Sequence, residues 1–229
     1  ENCQMRPIVY NYTAAFKEAP LVRYMLNGVF VTVSIFIIQV IVALPCAYAL
    51  SKLKFWGRDV VFGLVIFCLL IPVHAIALPL YIMLAKVGLT NSYAALIIPW
   101  TISVFGIFLM RQFFMNLPDE LIEAARIDGW SEFAIWWKIA MPLVVPALSA
   151  LAIFHFLGNW TAFLWPLIII NDPDMYTIPV GLASFNGEYE MNWEIVMTAS
   201  CLATIPTLFV FIILQKYIIK GIMLAGLKG

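Results

Sequence analysis

The sequence predicts an all-α membrane protein, a polytopic bundle of transmembrane helices, and three observations predict it. Of 229 residues, 64% are hydrophobic and only 11% are charged, against about 25% charged in a typical soluble domain. A chain of this length cannot enclose so much apolar surface in a water-facing globule, so lipid must be the second solvent. The apolar residues also come in long unbroken runs rather than in the short alternating segments of a membrane barrel.

A helix needs about 20 apolar residues to cross the hydrocarbon layer. Five stretches qualify: Tyr24 to Leu50, Val60 to Leu84, Ala94 to Phe114, Met141 to Ile170 and Ile195 to Ile219. Basic residues give the direction, because loops that stay in the cytoplasm are enriched in Lys and Arg. One side carries Lys52, Lys54, Arg58, Arg111, Arg126, Lys138, Lys216, Lys220 and Lys228, the other only Arg6, Lys17, Arg23 and Lys86. The loop from Asn171 to Glu194 has no basic residue and carries Asp172, Asp174, Glu188, Glu190 and Glu194. The expectation is an outer N-terminus and a cytoplasmic C-terminus.

The 13 basic and 13 acidic residues cancel, and no basic patch suggests nucleic acid as a partner. Cys3, Cys46, Cys68 and Cys201 lack metal-ligand spacing, and three of them sit in apolar runs as small hydrophobes. The chain opens on Glu1 with nothing like a signal peptide, so a further segment upstream is expected. Prolines at 45, 72, 79, 99, 142, 146, 166 and 206 each free a backbone carbonyl and can bend a helix. They fit either simple helix packing or bent helices around a cavity. No two glycines stand four apart, so the simple glycine-zipper signal is missing.

The most informative segment lies between the third and fourth spans, from Asn116 to Gly129. Pro118 suits the first turn of a helix, where its missing N–H is no loss. Asp119 and Glu120 complement the positive end of the helix dipole. Gly129 permits the left-handed residue that stops it. Leu117, Leu121, Ala124 and Ala125 are expected on one face, with Glu120, Glu123 and Arg126 elsewhere. Ser131 can cap a second short helix through Phe133, Trp136 and Trp137 towards Met141-Pro142. Such a pair is either an interfacial loop, which the tryptophans would suit, or a contact for another protein, which the small Ala124-Ala125 face favours.

At these residues the chain resembles a known family. Glu123-Ala124-Ala125, then Gly129, Ile139 and Met141-Pro142, are similar to the EAA loop of bacterial ABC importer permeases, with Met141 where the usual pattern has Leu. Further stretches resemble the carbohydrate-type branch, the group around the second maltose permease subunit. They are Arg23 to Asn27, Ala47 to Leu50, Phe108 to Phe114, Trp160 to Leu167, Thr177 to Leu182, and Gln215 to Tyr217 with Gly221. Thr161 departs from the Asn usual after that tryptophan.

The resemblance implies one permease domain over residues 1–229, with the coupling loop at 116–139 inside it and a sixth helix upstream. It implies that Glu123, Ala124, Ala125, Asp128, Gly129, Ile139 and Pro142 form the contact with an ATPase. The implied partners are a paralogous permease, two ATP-binding cassette subunits and an extracytoplasmic sugar-binding protein, in a bacterial inner membrane. The chain has no G-x-x-x-x-G-K loop followed by Ser or Thr, so ATP and Mg are expected to be used by the partner subunits, with no catalytic residue, cofactor or metal here.

Polar groups within the spans need a reason, since lipid offers them no partner. Gln39 reads as an interhelical hydrogen bond. His74, after Pro72, either satisfies a broken helix turn or serves function. His155, Asn159 and Trp160 are candidates for the substrate pathway, an amide beside an indole being a suitable wall for a sugar, or else they pack. Ala199, Ala203 and Thr207 form a small packing face. The acidic outer loop with Trp193 either docks the binding protein or is solvated.

Other classes fit less well. A stand-alone secondary transporter would need membrane-embedded charges or a proton relay that the spans lack. A membrane enzyme would have to use His74, His155 and Asp172, which have neither metal-ligand spacing nor a nucleophile beside them. Within the importer reading, the alternative solute is another small polar molecule such as a polyol or glycerol phosphate.

Overall fold

The computed structural model describes residues 8–184 and 193–226, and in these the chain is helical between short connections. It opens with α1 (Ile8–Glu18), a short helix that the sequence did not mark because it is too short to span. The first predicted span is α2 (Leu21–Lys52), 32 residues long with Pro45 inside it. At 1.5 Å per residue it measures about 48 Å, well beyond the roughly 30 Å hydrocarbon layer. Its Lys52 end therefore reaches into the loop region.

The second predicted span is corrected. Residues 60–84 do not form one helix but belong to α3 (Arg58–Leu69) and α4 (Val73–Lys86), bent by 98°. Pro72 is the cause: it has no N–H to offer the preceding turn, and its ring pushes the residue before it out of the helical region. Pro72 takes φ −66° and ψ 129° as the extended cap of α4. Pro79, by contrast, lies within α4.

The third span is built from α5 (Tyr93–Ile97), a tight turn at Ile98–Trp100 and α6 (Val104–Met115). Ser92 and Ser103 cap the two helices, accepting hydrogen bonds from the Ala95 and Gly106 N–H groups at 3.2 and 2.9 Å. The loop then forms α7 (Asp119–Ile127) and α8 (Glu132–Ile135), followed by a wide turn at Trp136–Ala140 and α9 (Met141–Leu143).

The fourth predicted span, 141–170, is also corrected. It is divided among α9, α10 (Val145–Trp160) and α11 (Leu164–Ile169), with a 76° bend before α10. Pro166 has no N–H for the carbonyl four residues earlier, which weakens the turn before it, and the helix is interrupted at Thr161–Phe163. After α12 (Ile178–Ala183), the last helix α13 (Trp193–Gly226) contains the fifth predicted span and Pro206. Among the described residues, three helices are long and apolar enough to cross a membrane, or up to five segments if each bent pair counts as one.

Packing centres on α2. Near its Lys52 end, Leu44, Ala47 and Tyr48 bury against Met110 and Phe114 of α6, Ile122 and Ala125 of α7, and Leu151 of α10. Towards its other end, Leu21 and Tyr24 pack with Phe156, Trp160, Ile178 and Ala199. A third cluster joins Val31 and Ile35 to Leu96, Trp165 and Ile169. Large apolar side chains such as Val60, Phe67, Leu78 and Phe209 point outwards, as a lipid-facing surface requires.

Glu188 and Glu190 of the acidic loop, with Cys3, Arg6 and Lys228, lie outside the described residues, as do the side chains of Tyr217 and Lys220.

Candidate functional site

Two places in this frame hold the residues that the sequence singled out. The first is the loop pair α7 and α8. Pro118 is the extended cap before Asp119, one residue outside the helix. At the far end Gly129 takes φ +81°, with none of the described residues within 4 Å of where a Cβ would stand. Its N–H donates to Arg126 O at 3.0 Å, and the Trp130 N–H to Ala125 O at 3.0 Å. These two bonds are the Schellman closure that a left-handed glycine makes cheap. Ser131 accepts from the Ala134 N–H at 3.3 Å and starts α8 as expected.

The expected face of α7 needs revision. Ile122 and Ala125 turn inwards, while Leu121 and Ala124 are exposed. A helix turns 100° per residue, so positions 122 and 125 share one side, and Glu120, Glu123, Ala124 and Ile127 share another. Ile127 is 86% exposed, far more than a helix of this chain's own core would leave it. Asp128, Gly129 and Pro142 are exposed, and Ile139 packs against the core edge. The outward stripe thus mixes two carboxylates with small and apolar side chains.

The loop pair is fixed to the end of α2 by a polar network that spacing could not reveal. Lys52 Nζ, whose side chain is 4% exposed, donates to Leu117 O at 2.7 Å and to Asp119 Oδ1 at 2.5 Å. A buried ammonium needs such acceptors. The hydrogen bond from Lys52 and its charge hold the Asp119 carboxyl below its usual range. Arg126 Nε donates to Glu132 Oε1 at 2.6 Å and its Nη2 to Lys52 O at 3.3 Å. The Glu132 hydrogen bond pushes the Arg126 guanidinium further up. Tyr48 completes the set, its hydroxyl donating to Glu132 Oε2 at 3.2 Å. Close by, Arg111 is not a loop cation: it is buried in α6, donates to Leu50 O at 3.1 Å and lies 3.6 Å over the Phe62 ring.

The second place lies in the other half of the bundle. His155 is buried, with Nε2 3.0 Å from Thr32 O and Nδ1 3.2 Å from Asn159 Nδ2. A carbonyl only accepts, so the proton sits on Nε2 and Nδ1 accepts from the amide. Asn159 Nδ2 also donates to His155 O at 3.0 Å. Trp160 is 4% exposed and its Nε1–H donates to Ala203 O of α13 at 2.9 Å. His155 and Trp160 are thus spent on joining helices. Gln39 makes the interhelical bond expected of it, to Trp100 O at 2.6 Å.

Asn159 alone of these three lines a cavity of about 350 Å³, between α2, α4, α5, α10 and α11. His74 lines it too, as do Thr32 and Thr177. Among the described residues, no three His, Cys, Asp or Glu side chains come together as metal ligands.

Comparison with known proteins decides the family. The model of the binding-protein-dependent transport system inner membrane component matches residues 39–223, from mid-α2 through both loop helices and into α13. The chain belongs to that family.

As a member it has close curated relatives. It is 37% identical over 220 residues to the arabinooligosaccharides transport system permease protein AraQ of Halalkalibacterium halodurans, covering 96% of this chain and 79% of that one. It is 35% identical over 208 residues to the sn-glycerol-3-phosphate transport system permease protein UgpE of Escherichia coli strain K12, covering 90% and 74%. A solved bacterial ABC transporter involved in alginate import shares the fold, with TM-score 0.81 at 24% identity over 90% of this chain and 78% of its counterpart. The permease is therefore a multi-pass membrane protein.

Proposed function

We propose that this permease forms half of the translocation pathway of an ATP-driven importer for a sugar or oligosaccharide. The observation that carries the reading is the α7–α8 pair: its inner face and polar network bind it to α2, while Glu120, Glu123, Ala124 and Ile127 stand outwards. A rigid element tied to a spanning helix and presenting an unfilled apolar and acidic stripe is suited to receive motion from another protein. In this reading an ATP-binding cassette subunit docks there, using ATP and Mg for hydrolysis. The permease itself is non-catalytic and transmits the closure through Lys52, Arg126 and Glu132.

The loop pair then faces the cytoplasm, with the C-terminus on the same side, in agreement with the basic residues around it. A paralogous permease, two ATPase subunits and an extracytoplasmic binding protein complete the assembly. The sugar assignment is supported by the arabinooligosaccharide permease as a relative across nearly the whole chain. A second reading, glycerol phosphate as solute, is favoured by the relative of that name. Purification of the tagged protein in mild detergent with mass spectrometry of its companions tests the assembly. A stoichiometric ATPase and a second permease are expected. A chain that purifies alone and moves solute in vesicles without ATP would overturn the reading.

A further inference from the structure

Thr32 and Thr177 are both buried, at 2% and 6% exposure, and among the described residues neither hydroxyl has a hydrogen-bond partner. Buried hydroxyls are nearly always paired. A threonine or serine within a helix usually solves the problem locally, by donating to the carbonyl four residues back. In this chain Ser149, Thr161, Thr198, Ser200 and Thr204 all do so. Thr32 does not, although it lies in mid-helix. Thr32 and Thr177 are far apart in sequence yet line the same cavity.

We propose that this cavity binds one uncharged sugar ring, hydrogen-bonded by Thr32, Thr177 and Asn159. The proposal rests on the importer reading above and names the part of this subunit that meets the solute. Its chemistry suits a ring with apolar faces and a rim of hydroxyls. Trp100 and Trp165 stand edge to face, 6.0 Å apart, in the cavity wall, and polar groups enter at only a few points. Among the described residues no Lys, Arg, Asp or Glu lines it and His74 is the one ionisable side chain in the wall, so no permanent cation stands there for a phosphate. The volume of about 350 Å³ equals that of about a dozen waters, enough for one ring and too small for a long chain. Two of the helix breaks also open onto it: Val73 and His74 follow the Pro72 break, and Gly158, Asn159, Ala162 and Phe163 flank the end of α10. Interrupted helices are where transporters expose backbone and side-chain polar groups to a solute.

Two variants test the site in the assembled importer. Thr32→Val with Thr177→Val removes both hydroxyls at nearly constant shape. Gly158→Phe fills the cavity from a position on its wall where an added Cβ meets none of the described residues within 4 Å. Uptake is measured in cells with a panel of neutral mono- to trisaccharides, L-arabinotriose among them, and with sn-glycerol 3-phosphate. Co-purification with the ATPase subunits controls for assembly. The expected result is neutral-sugar uptake by the unaltered importer and a fall of at least tenfold in both variants, with assembly intact. Sugar uptake that both variants leave unchanged overturns the site, making it a water-filled void, and leaves the importer reading standing. Uptake of sn-glycerol 3-phosphate without any neutral sugar overturns the uncharged-ring assignment and the sugar reading together. If the double valine variant fails to assemble, Gly158→Phe alone decides between the first two results.

Discussion

The indole of Trp160 lies directly on Gly28. A methyl group added there would stand 2.9 Å from Trp160 Cζ3, closer than real side chains come. This close approach lets α10 settle on α2, while the indole N–H reaches across to Ala203 of α13. Trp160→Ala is therefore expected to lose packing among three helices, at about 3–5 kcal/mol for a buried aromatic. Trp160→Phe keeps most of the ring and leaves the Ala203 carbonyl without its donor, at about 1–3 kcal/mol. Thermal unfolding of the purified complex should rank the two in that order. Equal unfolding temperatures for Trp160→Ala and the unaltered protein would restore Trp160 as a pathway residue.

A second contact of this kind joins α12 to α2. A Cβ at Gly181 would stand 2.2 Å from Cδ2 of the buried Tyr24 ring. Gly181→Ala should destabilise the complex by about 1–3 kcal/mol, the usual range for an overfilled site. Gly63→Ala, where space is open, should have little effect. The same unfolding assay checks both.

The polar network at the Lys52 end makes a prediction about communication. Glu132→Gln weakens the bonds from Arg126 and Tyr48 without removing the side chain's shape. The expected result is a complex that still hydrolyses ATP but transports several-fold less solute per ATP. An unchanged ratio of transport to hydrolysis would show that the network only holds the loop in place.

Asp119 fixes the sign of one pH effect. Its carboxyl is held below the usual range by Lys52, so the folded state binds its proton less readily than the unfolded chain. The stabilisation is then fully present above the ordinary aspartate value near 4 and is lost as pH falls through the lowered folded value. The difference in unfolding temperature between the unaltered protein and Asp119→Asn should stay constant from pH 5 to 8 and shrink only in more acidic solution. A difference that changes between pH 6 and 8 would mean another group titrates with the pair.

These relationships also mark what could be read in the sequence. Hydropathy located the membrane segments because lipid imposes a minimum apolar length, and the first and fifth predicted spans fall inside the unbroken helices α2 and α13. The same runs concealed the breaks at Pro72 and Thr161–Phe163, since a broken span is as apolar as a straight one. The caps of α7 and α8 were legible because Pro118, Gly129 and Ser131 act through local backbone geometry. The inward face was misread because Leu121 and Ile122 are both apolar and only the tertiary contact chooses between them. Tyr48 to Glu132 spans 84 residues, and Lys52 to Asp119 spans 67. Such pairs carry no local signal. Thr32 and Thr177 were overlooked for a related reason: a threonine in an apolar helix looks ordinary until its usual back-bond is found missing.

The most direct test of the account is a crosslink from α7. In a variant whose native cysteines are replaced by serine, Ala124→Cys places a thiol on the outward stripe and Ala125→Cys places one on the buried face. With a short bifunctional reagent on the assembled complex, Ala124→Cys should join the permease to the ATP-binding subunit, and Ala125→Cys should not. No crosslink from Ala124→Cys in a complex that hydrolyses ATP and imports solute would contradict the proposed coupling contact.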